Sequence, residues 1–315
     1  MSKRVVVVVN KWWECDLLLN VLLHDQARPA ALKDLWPVPL YHPRRRPAPP
    51  NTNPMGVPRA TYQLGSCRLE VWCVSDLIER EAKEFQSSTQ TKWEKLPAVF
   101  APTAPDLVIA VGTAASPFAD DLNGTVAVGT GVYMYNAYPN GDNKFSKWDD
   151  PRCETLVNST LTPEAFGQLT TFTAADLAQI GKRFVLPPLH HSSYLADTFD
   201  PACGRVRCQH DFVALATLNV TDYGLYKTYD PKTLASYQSG QGETLAKSLE
   251  TTHCLIRCRS EAPFLWVSGL ANPALHFDDQ NTPREYAQNL AAAHNAGVVV
   301  AWMIPLIDQW AQGNL

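Results

Sequence analysis

One stretch of the chain, residues 105–139, constrains the fold more than any other. It contains an apolar run at 107–111, five small residues at 112–116, an Asn-Gly pair at 123–124 and a second apolar run at 125–128. A continuous apolar run bounded by turn residues is typical of a strand covered on both faces. We therefore expect two buried strands. The small residues between them predict a tight corner, either as ordinary core or where a ligand approaches the backbone closely.

Three further apolar runs, at residues 5–9, 212–218 and 264–267, have the same character, and helix signals alternate with them. Strands that alternate with helices form mainly parallel sheets with helices on both faces. The sequence thus predicts an α/β protein with three layers, α/β/α, around a mixed, mainly parallel central sheet. Residues 1–315 are expected to form one domain. A proline- and arginine-rich stretch at 37–58 is expected to be a loop insertion, because so many prolines exclude a helix or central strand.

Charge and hydropathy argue against several kinds of partner. The net charge is −4 and charged residues make up 18%, so no general attraction to nucleic acid or anionic lipid is expected. The terminal helix is predicted at 282–304. The apolar stretch 297–307 contains Pro305 and is shorter than the roughly 18 residues of a membrane span. The apolar start at 5–9 is shorter than the roughly 7–15 residues of a signal peptide. We expect a cytoplasmic protein with no membrane association.

The cysteines do not predict a disulfide framework or a metal site. Eight are scattered along the chain, and without a secretory signal they favour reduced thiols. Cys203 and Cys208 lie near His190, His191 and His210 in the sequence. Their C-x4-C spacing is outside the usual zinc-finger pattern, and no second pair lies at a matching distance. No metal and no cofactor is expected.

Three separated segments carry the functional signal: VGTAA at 111–115 followed by NGTVAV at 123–128, SLETT at 248–252, and WVSGLAN at 266–272. In order and spacing they resemble the (V/T)GSAG corner with its following strand, the VEMEA motif and the ISDxAD motif of the nucleoside phosphorylase and nucleosidase superfamily. The resemblance is to the branch of methylthioadenosine/adenosylhomocysteine nucleosidases and hexameric purine nucleoside phosphorylases, with this chain as a divergent member. It implies that superfamily's fold and a small-molecule, nucleoside-like ligand.

The resemblance implies a sugar site on the first two segments. Gly112, Thr113 and Ala114 stand in the small-residue corner, where Thr113 takes the place of a family serine that contacts ribose, phosphate or nucleophilic water. Glu250 stands where a family glutamate binds the ribose 2′- and 3′-hydroxyls, and Leu249 where a methionine packs against the sugar. A carboxylate suits this role because it accepts two hydroxyl hydrogen bonds at once.

The third segment departs from the family pattern on the side of the base. Ser268 is retained, but Gly269 stands where the family has the aspartate that protonates or hydrogen-bonds the purine N7. Asn272 replaces the second aspartate of the motif. Because glycine has no proton to donate, general acid catalysis at the base needs a substitute. Asn272, His253 and His276 are the candidates, and the sequence does not choose among them.

Two more regions complete the predicted site. Glu14 and Asp16 follow the first predicted strand, where the nucleosidases have a glutamate that activates water, and the sequence leaves both as candidates. Asn219 and Val220 follow the strand predicted at 212–218. Ligands of α/β proteins bind at the carboxyl ends of strands, so these two residues are expected to face the base.

The missing phosphate ligands favour one reaction over another. Family phosphorylases place arginines near the phosphate, whereas this chain has Ala110 before the corner and only Lys11 in the N-terminal loop. Hydrolysis of an N-glycosidic bond in a nucleoside or nucleoside-like substrate is therefore favoured over phosphorolysis. The alternatives are a non-catalytic nucleoside-binding or regulatory protein on the same fold, and a phosphorylase of altered base specificity. The resemblance also implies a homo-oligomer, a dimer or a trimer of dimers.

Overall fold

A computed structural model gives the fold of the protein. It describes residues 2–23, 57–78, 89–116, 124–135, 155–185, 206–217, 245–273 and 285–313. The predictions for Asn219, Val220 and His276 and for most of the 37–58 loop lie outside the described residues.

The elements alternate between strand and helix as the sequence predicts. The first half contains β1 (Lys3–Val9), α1 (Trp12–Leu23), β2 (Ala60–Gln63), β3 (Cys67–Cys73), α2 (Val74–Leu77), α3 (Thr89–Lys95), α4 (Pro97–Phe100), β4 (Leu107–Ser116), β5 (Val126–Gly129) and β6 (Gly131–Tyr135). The second half contains β7 (Leu156–Val157), α5 (Pro163–Thr170), α6 (Ala174–Arg183), β8 (Val206–Cys208), β9 (Val213–Thr217), β10 (Ala246–Glu250), α7 (His253–Arg259), β11 (Phe264–Pro273) and α8 (Glu285–Gln312).

The described strands belong to one mixed sheet. From one edge the order is β2-β3-β1-β4-β10-β9-β6-β7, and β4 also pairs with β11, which continues through β5 to β8. The strand β1 runs parallel to β3 and β4, and β4 runs parallel to β11. The pairs β2–β3 and β5–β11 are antiparallel. Because only Thr130 separates β5 from β6, the chain itself joins the two branches of the sheet.

Alternate residues of β1 enter two apolar cores, one on each face of the sheet. Val5, Val7 and Val9 pack in the core that contains residues of α1, α5, α6 and α8. Val6 and Val8 pack in the core that contains residues of α4 and α7. All five valines are 0% exposed, and each buried valine stabilises the fold by roughly 1.5 kcal/mol. A strand buried on both faces lies in the middle of three layers, so the predicted α/β/α fold is confirmed.

The small-residue segment after residue 111 is a strand and not the predicted corner. The strand β4 continues without a break to Ser116. The reason is tertiary pairing, because residues 112–116 lie in register with 268–273 of β11. The strand β11 is likewise longer than the predicted 264–267 and ends at Pro273. Gly124, just before β5, has a φ of 82°, which fits the predicted Asn-Gly turn because glycine adopts this conformation without steric cost.

The terminal helix also differs from its prediction. The helix α8 runs to Gln312 with Pro305 in its interior, whereas the sequence predicted an end at 304. Proline removes one backbone donor, but Ile304 and Ile307 are buried on either side of it and hold the helix against the core. The segment Asn289–Gln312 has the length and hydropathy of a membrane span, yet 72% of its apolar window is buried inside the protein. It is packed as a core helix.

Candidate active site

Three parallel strands bring their polar continuations to one edge of the sheet. Val9, the last residue of β1, pairs with Val111 of β4, which pairs with Val267 of β11. Beyond this level β1 leads into α1, while β4 and β11 continue with Gly112 beside Ser268. Ligands of open α/β sheets bind outside the carboxyl ends of the strands. The candidate site is therefore built at this edge.

Glu14 links the first turn of α1 to β4. Its Oε1 accepts hydrogen bonds from the Thr113 backbone N–H at 2.8 Å and from the Thr113 hydroxyl at 2.6 Å. Its Oε2 accepts a hydrogen bond from the Lys11 backbone N–H at 2.8 Å. Glu14 is 3% exposed, so these three donors compensate for the loss of water around the carboxylate. The structure thus brings together Glu14 and Thr113, two residues that the sequence places in the site.

Gly112 lies where two side chains meet over β4. A Cβ atom at this position would lie 3.6 Å from Glu14 Oε1 and 3.6 Å from His253 Cε1. Both side chains therefore cover the face of β4 toward which a residue at 112 would point. A side chain longer than a methyl group would enter the space between the carboxylate and the imidazole.

Glu250 ends β10, and its carboxylate binds the backbone that follows it. Oε1 accepts a hydrogen bond from the His253 N–H at 2.8 Å, and Oε2 accepts one from the Thr252 N–H. These N–H groups lie at the start of α7, where backbone donors have no partner within the helix and a negative charge is favourable. Glu250 is 7% exposed. Its carboxylate is thus buried and fixed in direction by the backbone.

A buried chain of hydroxyl and imidazole groups adjoins Glu250. His253 Nε2 lies 2.9 Å from Ser268 Oγ, which lies 2.8 Å from Ser248 Oγ. His253 Nδ1 is 3.9 Å from Glu250 Oε2 and, although buried, makes no hydrogen bond with the described residues. The imidazole stacks on the indole of Trp266, with ring centroids 6.2 Å apart. The ring is thus held on one face and at Nε2, with Nδ1 toward the carboxylate.

Burial lowers the pKa of His253 from its ordinary value of 6.5, while the charges of Glu250 and Glu14 oppose the shift. The imidazole is therefore neutral at neutral pH, with one ring nitrogen a donor and the other an acceptor. His253 was one of three substitutes that the sequence offered for the missing acid. In the structure it contacts Ser268 and lies beside Glu250.

Lys92 of α3 brings a buried ammonium group to the turn between β10 and α7. Its Nζ donates a hydrogen bond to Thr252 Oγ1 at 2.9 Å and lies 3.4 Å from Thr251 Oγ1. Lys92 is 6% exposed. Nothing in the sequence marks this residue, because TQTKWEK is typical of a solvent-exposed helix and contains no motif.

Burial and several neighbouring charges determine the pKa of Lys92. Burial, the largest effect, lowers the pKa of Lys92 to about 8, and the positive charge of Lys11 acts in the same direction. The carboxylates of Glu250 and Glu14 oppose the shift. Lys92 therefore shares an electrostatic environment with both carboxylates of the candidate site.

Asp16, the other predicted water-activating residue, binds a different partner. Its Oδ1 accepts a hydrogen bond from Arg59 Nη1 at 2.6 Å. Arg59 also donates two hydrogen bonds to Asp76, at 2.5 and 2.7 Å. Residues two apart on a helix point about 200° away from each other. Glu14 and Asp16 therefore leave α1 on opposite sides, and it is Glu14 that binds Thr113.

Gly269 packs against α8. A Cβ atom there would lie 2.0 Å from the carbonyl oxygen of Ala292, a distance at which the atoms overlap. Neighbouring residues of a strand point to opposite faces, and Ser268 points to His253. The position that the resemblance assigns to the family aspartate therefore admits no side chain unless α8 moves.

The remaining predicted residues lie around Ala115 of β4. Leu249 of β10 pairs with Ala115 from one side, and the backbone of Asn272 on β11 is level with it from the other. Leu249 is buried, and so is Ala114, which pairs with Leu270. Within the described ranges, no group of three or more His, Cys, Asp or Glu side chains is placed to hold a metal ion.

Comparison by sequence matches the chain to no protein-family model and to no curated protein. Comparison by structure finds the 5′-methylthioadenosine nucleosidase of Arabidopsis thaliana in apo form, with a TM-score of 0.50 at 15% identity over 97% of this chain and 96% of that chain. It also finds the 5′-methylthioadenosine/S-adenosylhomocysteine nucleosidase from Helicobacter pylori with butyl-thio-DADMe-Immucillin-A, with a TM-score of 0.50 at 10% identity over 97% of this chain and 99% of that chain.

A mutant of the futalosine hydrolase of Helicobacter pylori is similar to the same degree, with a TM-score of 0.50 at 10% identity over 96% of this chain and 99% of that chain. The chain has the fold of the nucleoside phosphorylase and nucleosidase superfamily. The resemblance that the three motifs predict is confirmed at the level of this fold. The likeness in fold covers nearly the whole chain.

Proposed function

We propose that the protein is a nucleosidase-type hydrolase that cleaves the N-glycosidic bond of a nucleoside or nucleoside-like substrate. The observation that carries the proposal is the pair of Glu14, which is buried, and Thr113, which is half-buried. The two residues are joined by two hydrogen bonds at the carboxyl-end edge of the sheet. A second buried carboxylate belongs to Glu250, the last residue of the neighbouring strand β10. Fold-level likeness to nucleosidases supports the proposal.

In this proposal Glu14 is the general base. Each carboxylate oxygen has two lone pairs, and among the described contacts Oε2 uses one of them for the Lys11 N–H. The other is suited to accept a proton from water as it attacks the sugar. The Thr113 hydroxyl donates a hydrogen bond to Glu14, and none of the described contacts uses the lone pairs of its oxygen, which are proposed to receive the water or a sugar hydroxyl.

Glu250 is proposed to bind the sugar. The backbone holds each oxygen of its carboxylate by one N–H group, which leaves further lone pairs for two neighbouring hydroxyl groups. Two carboxylates near the sugar also stabilise the positive charge that develops as the glycosidic bond breaks. Gly112 and Ala114 provide backbone without bulk on one side, and Leu249 and Ser268 lie on the adjacent strands.

The departing base receives no proton from position 269, because Gly269 packs against α8. Asn272 on the same strand is proposed to hydrogen-bond the base, and Asn219 and Val220 to face it. An amide donates a hydrogen bond but does not transfer a proton. Assistance to the leaving base is therefore weaker than in a protein with an aspartate at this place.

Hydrolysis is proposed rather than phosphorolysis. Ala110, where the phosphorylases of the superfamily place an arginine, is fully buried and carries no charge. A phosphate dianion needs such positive groups for binding. The nucleophile is therefore proposed to be water.

The test is release of free base from a panel of adenosine, inosine, uridine, cytidine and 5′-methylthioadenosine, with and without phosphate, measured by liquid chromatography. We expect release from at least one nucleoside without phosphate, and E14Q is expected to lower kcat by about 100-fold or more. The matched control is E261Q, which changes an exposed glutamate and is expected to leave kcat unchanged. Release that requires phosphate contradicts hydrolysis.

A second candidate function, nucleoside binding without cleavage, is favoured by the packing of Gly269, which removes the family acid. Calorimetric titration of the same panel separates the two. Binding without base release supports the second candidate, and release contradicts it. A homo-oligomer, either a dimer or a trimer of dimers, is also proposed from the resemblance, and a cytoplasmic location is proposed from the hydropathy pattern of the sequence. Sedimentation analysis of the purified protein tests the oligomer.

A further inference from the structure

Lys92 has no part in the proposed mechanism, yet it is buried beside it. The ammonium group donates a hydrogen bond to Thr252 Oγ1 at 2.9 Å and approaches Thr251 Oγ1 at 3.4 Å. A buried lysine is rare unless it is paired, because removing an ammonium group from water is costly. The contacts of Lys92 with this turn therefore have to compensate for the cost of burying its ammonium group.

The turn that Lys92 contacts is the one that orients Glu250. The Thr252 N–H and the His253 N–H each donate to one oxygen of the Glu250 carboxylate. Thr252 thus joins the two groups, with its hydroxyl bound to Lys92 and its amide bound to Glu250. The position of this one residue therefore bears both on the hydrogen bond to Lys92 and on the hydrogen bond that directs the carboxylate.

We propose that Lys92 is a positioning residue for the sugar site: it holds the Thr251–Thr252 turn and so fixes the Glu250 carboxylate toward the sugar hydroxyls. This proposal rests on the proposed function, in which Glu250 binds the sugar. In this role Lys92 acts on the substrate only through Thr252 and Glu250. It acts through one hydroxyl group, and through its positive charge close to two buried carboxylates.

The charge of Lys92 is part of this role. Its pKa is lowered to about 8 by burial, with Lys11 adding to the shift and Glu250 and Glu14 opposing it. Above about pH 8 the group is a neutral amine, which keeps one hydrogen bond but no longer attracts the carboxylates. The positioning of Glu250 therefore weakens as pH rises through about 8.

Other charged or titratable groups on the elements packed against α3 are engaged elsewhere. On α2, Asp76 binds Arg59. On α7, Arg259 lies over the Trp93 ring, Arg257 donates to backbone carbonyls, and His253 is bound to Ser268. In the described contacts none of them offers Lys92 a counter-charge, and the negative charges that act on its pKa are those of Glu250 and Glu14.

The first experiment measures kcat/KM against pH for wild type, K92M, K92R and K95M, with the nucleoside of the panel that wild type cleaves fastest. Lys95 lies on the same helix and is exposed, so K95M is the matched control and is expected to equal wild type. We expect K92M to lower kcat/KM at pH 7 at least 10-fold and to remove the fall above pH 8. K92R is expected to recover part of the activity and also to lack that fall. K92M activity within twofold of wild type, or a fall above pH 8 that persists in K92M and K92R, overturns the proposal.

The second experiment does not depend on catalysis. Urea unfolding of wild type, K92M, E250Q and the double variant gives a double-mutant cycle at pH 7. The double variant is expected to deviate from the sum of the single changes, because both act through the Thr252 turn. Additive changes overturn the proposal. If wild type cleaves no nucleoside, the proposed function fails, while the cycle still decides whether Lys92 acts on Glu250.

Discussion

Replacing Gly269 by alanine tests the packing of β11 against α8. The added Cβ would lie 2.0 Å from the Ala292 carbonyl oxygen, whereas ordinary contact begins at 3.4 Å, so the helix or the strand must shift by roughly 1.4 Å, the difference between the two. Overpacking a dense core by one methyl group costs about 1–3 kcal/mol, and more where backbone must move. We expect G269A to lower the free energy of unfolding by at least about 3 kcal/mol, out of a total of about 5–15 kcal/mol for a typical domain.

Urea denaturation followed by tryptophan fluorescence measures this loss. Gly167 in α5 provides the matched control. Apart from its chain neighbours and the backbone of its own helix, no atom of the described residues lies within 4 Å of a Cβ added there. Alanine favours a helix over glycine by roughly 1 kcal/mol, so G167A is expected to be at least as stable as wild type. If G269A unfolds at the wild-type urea concentration, β11 does not pack on α8 as described. The explanation for the missing aspartate then fails as well.

Three other predictions follow from the described contacts. D76N is expected to lower the free energy of unfolding in urea by roughly 3–5 kcal/mol, because it leaves Arg59 buried without its main counter-charge. D16N is expected to lower it by less and to leave kcat unchanged, since Asp16 is 34% exposed and faces away from Thr113. Because burial lowers the pKa of His253 below 6.5, the unfolded chain binds more protons just below pH 6.5. The free energy of unfolding therefore falls as pH is lowered through this range, and H253Q should flatten the fall. T173A removes the capping box of α6 and should lower the free energy of unfolding by about 1 kcal/mol.

The layers of the fold were predictable because the signals for them are local. Five consecutive valines at 5–9 predict a strand buried on both faces, and the structure confirms one. The limits of β4 and β11 were not predictable in the same way. Gly112 and the alanines beside it have low strand propensity on their own, and they are strand because β11 pairs with them from Ser268 to Pro273, with one register shift between Leu270 and Asn272.

The sequence marks some residues of the candidate site by motif and gives no signal for others. Glu14 and Asp16 were equal candidates in the sequence, because their difference depends on where α1 begins. With Trp12 as the first residue of the helix, Glu14 lies in the first turn and Asp16 points away from it. The burial of Lys92 was not predictable from the sequence, because it depends on a turn 160 residues away.

The most direct test of the proposed function is the rate of base release by E14Q in phosphate-free buffer, measured together with nucleoside affinity. The variant keeps the shape of the side chain but cannot accept a proton from water. We predict that E14Q binds the nucleoside with a dissociation constant within a few-fold of wild type. Its rate of base release is predicted to be lower than that of wild type by about 100-fold or more. Base release by E14Q at the wild-type rate would contradict Glu14 as the base that activates water.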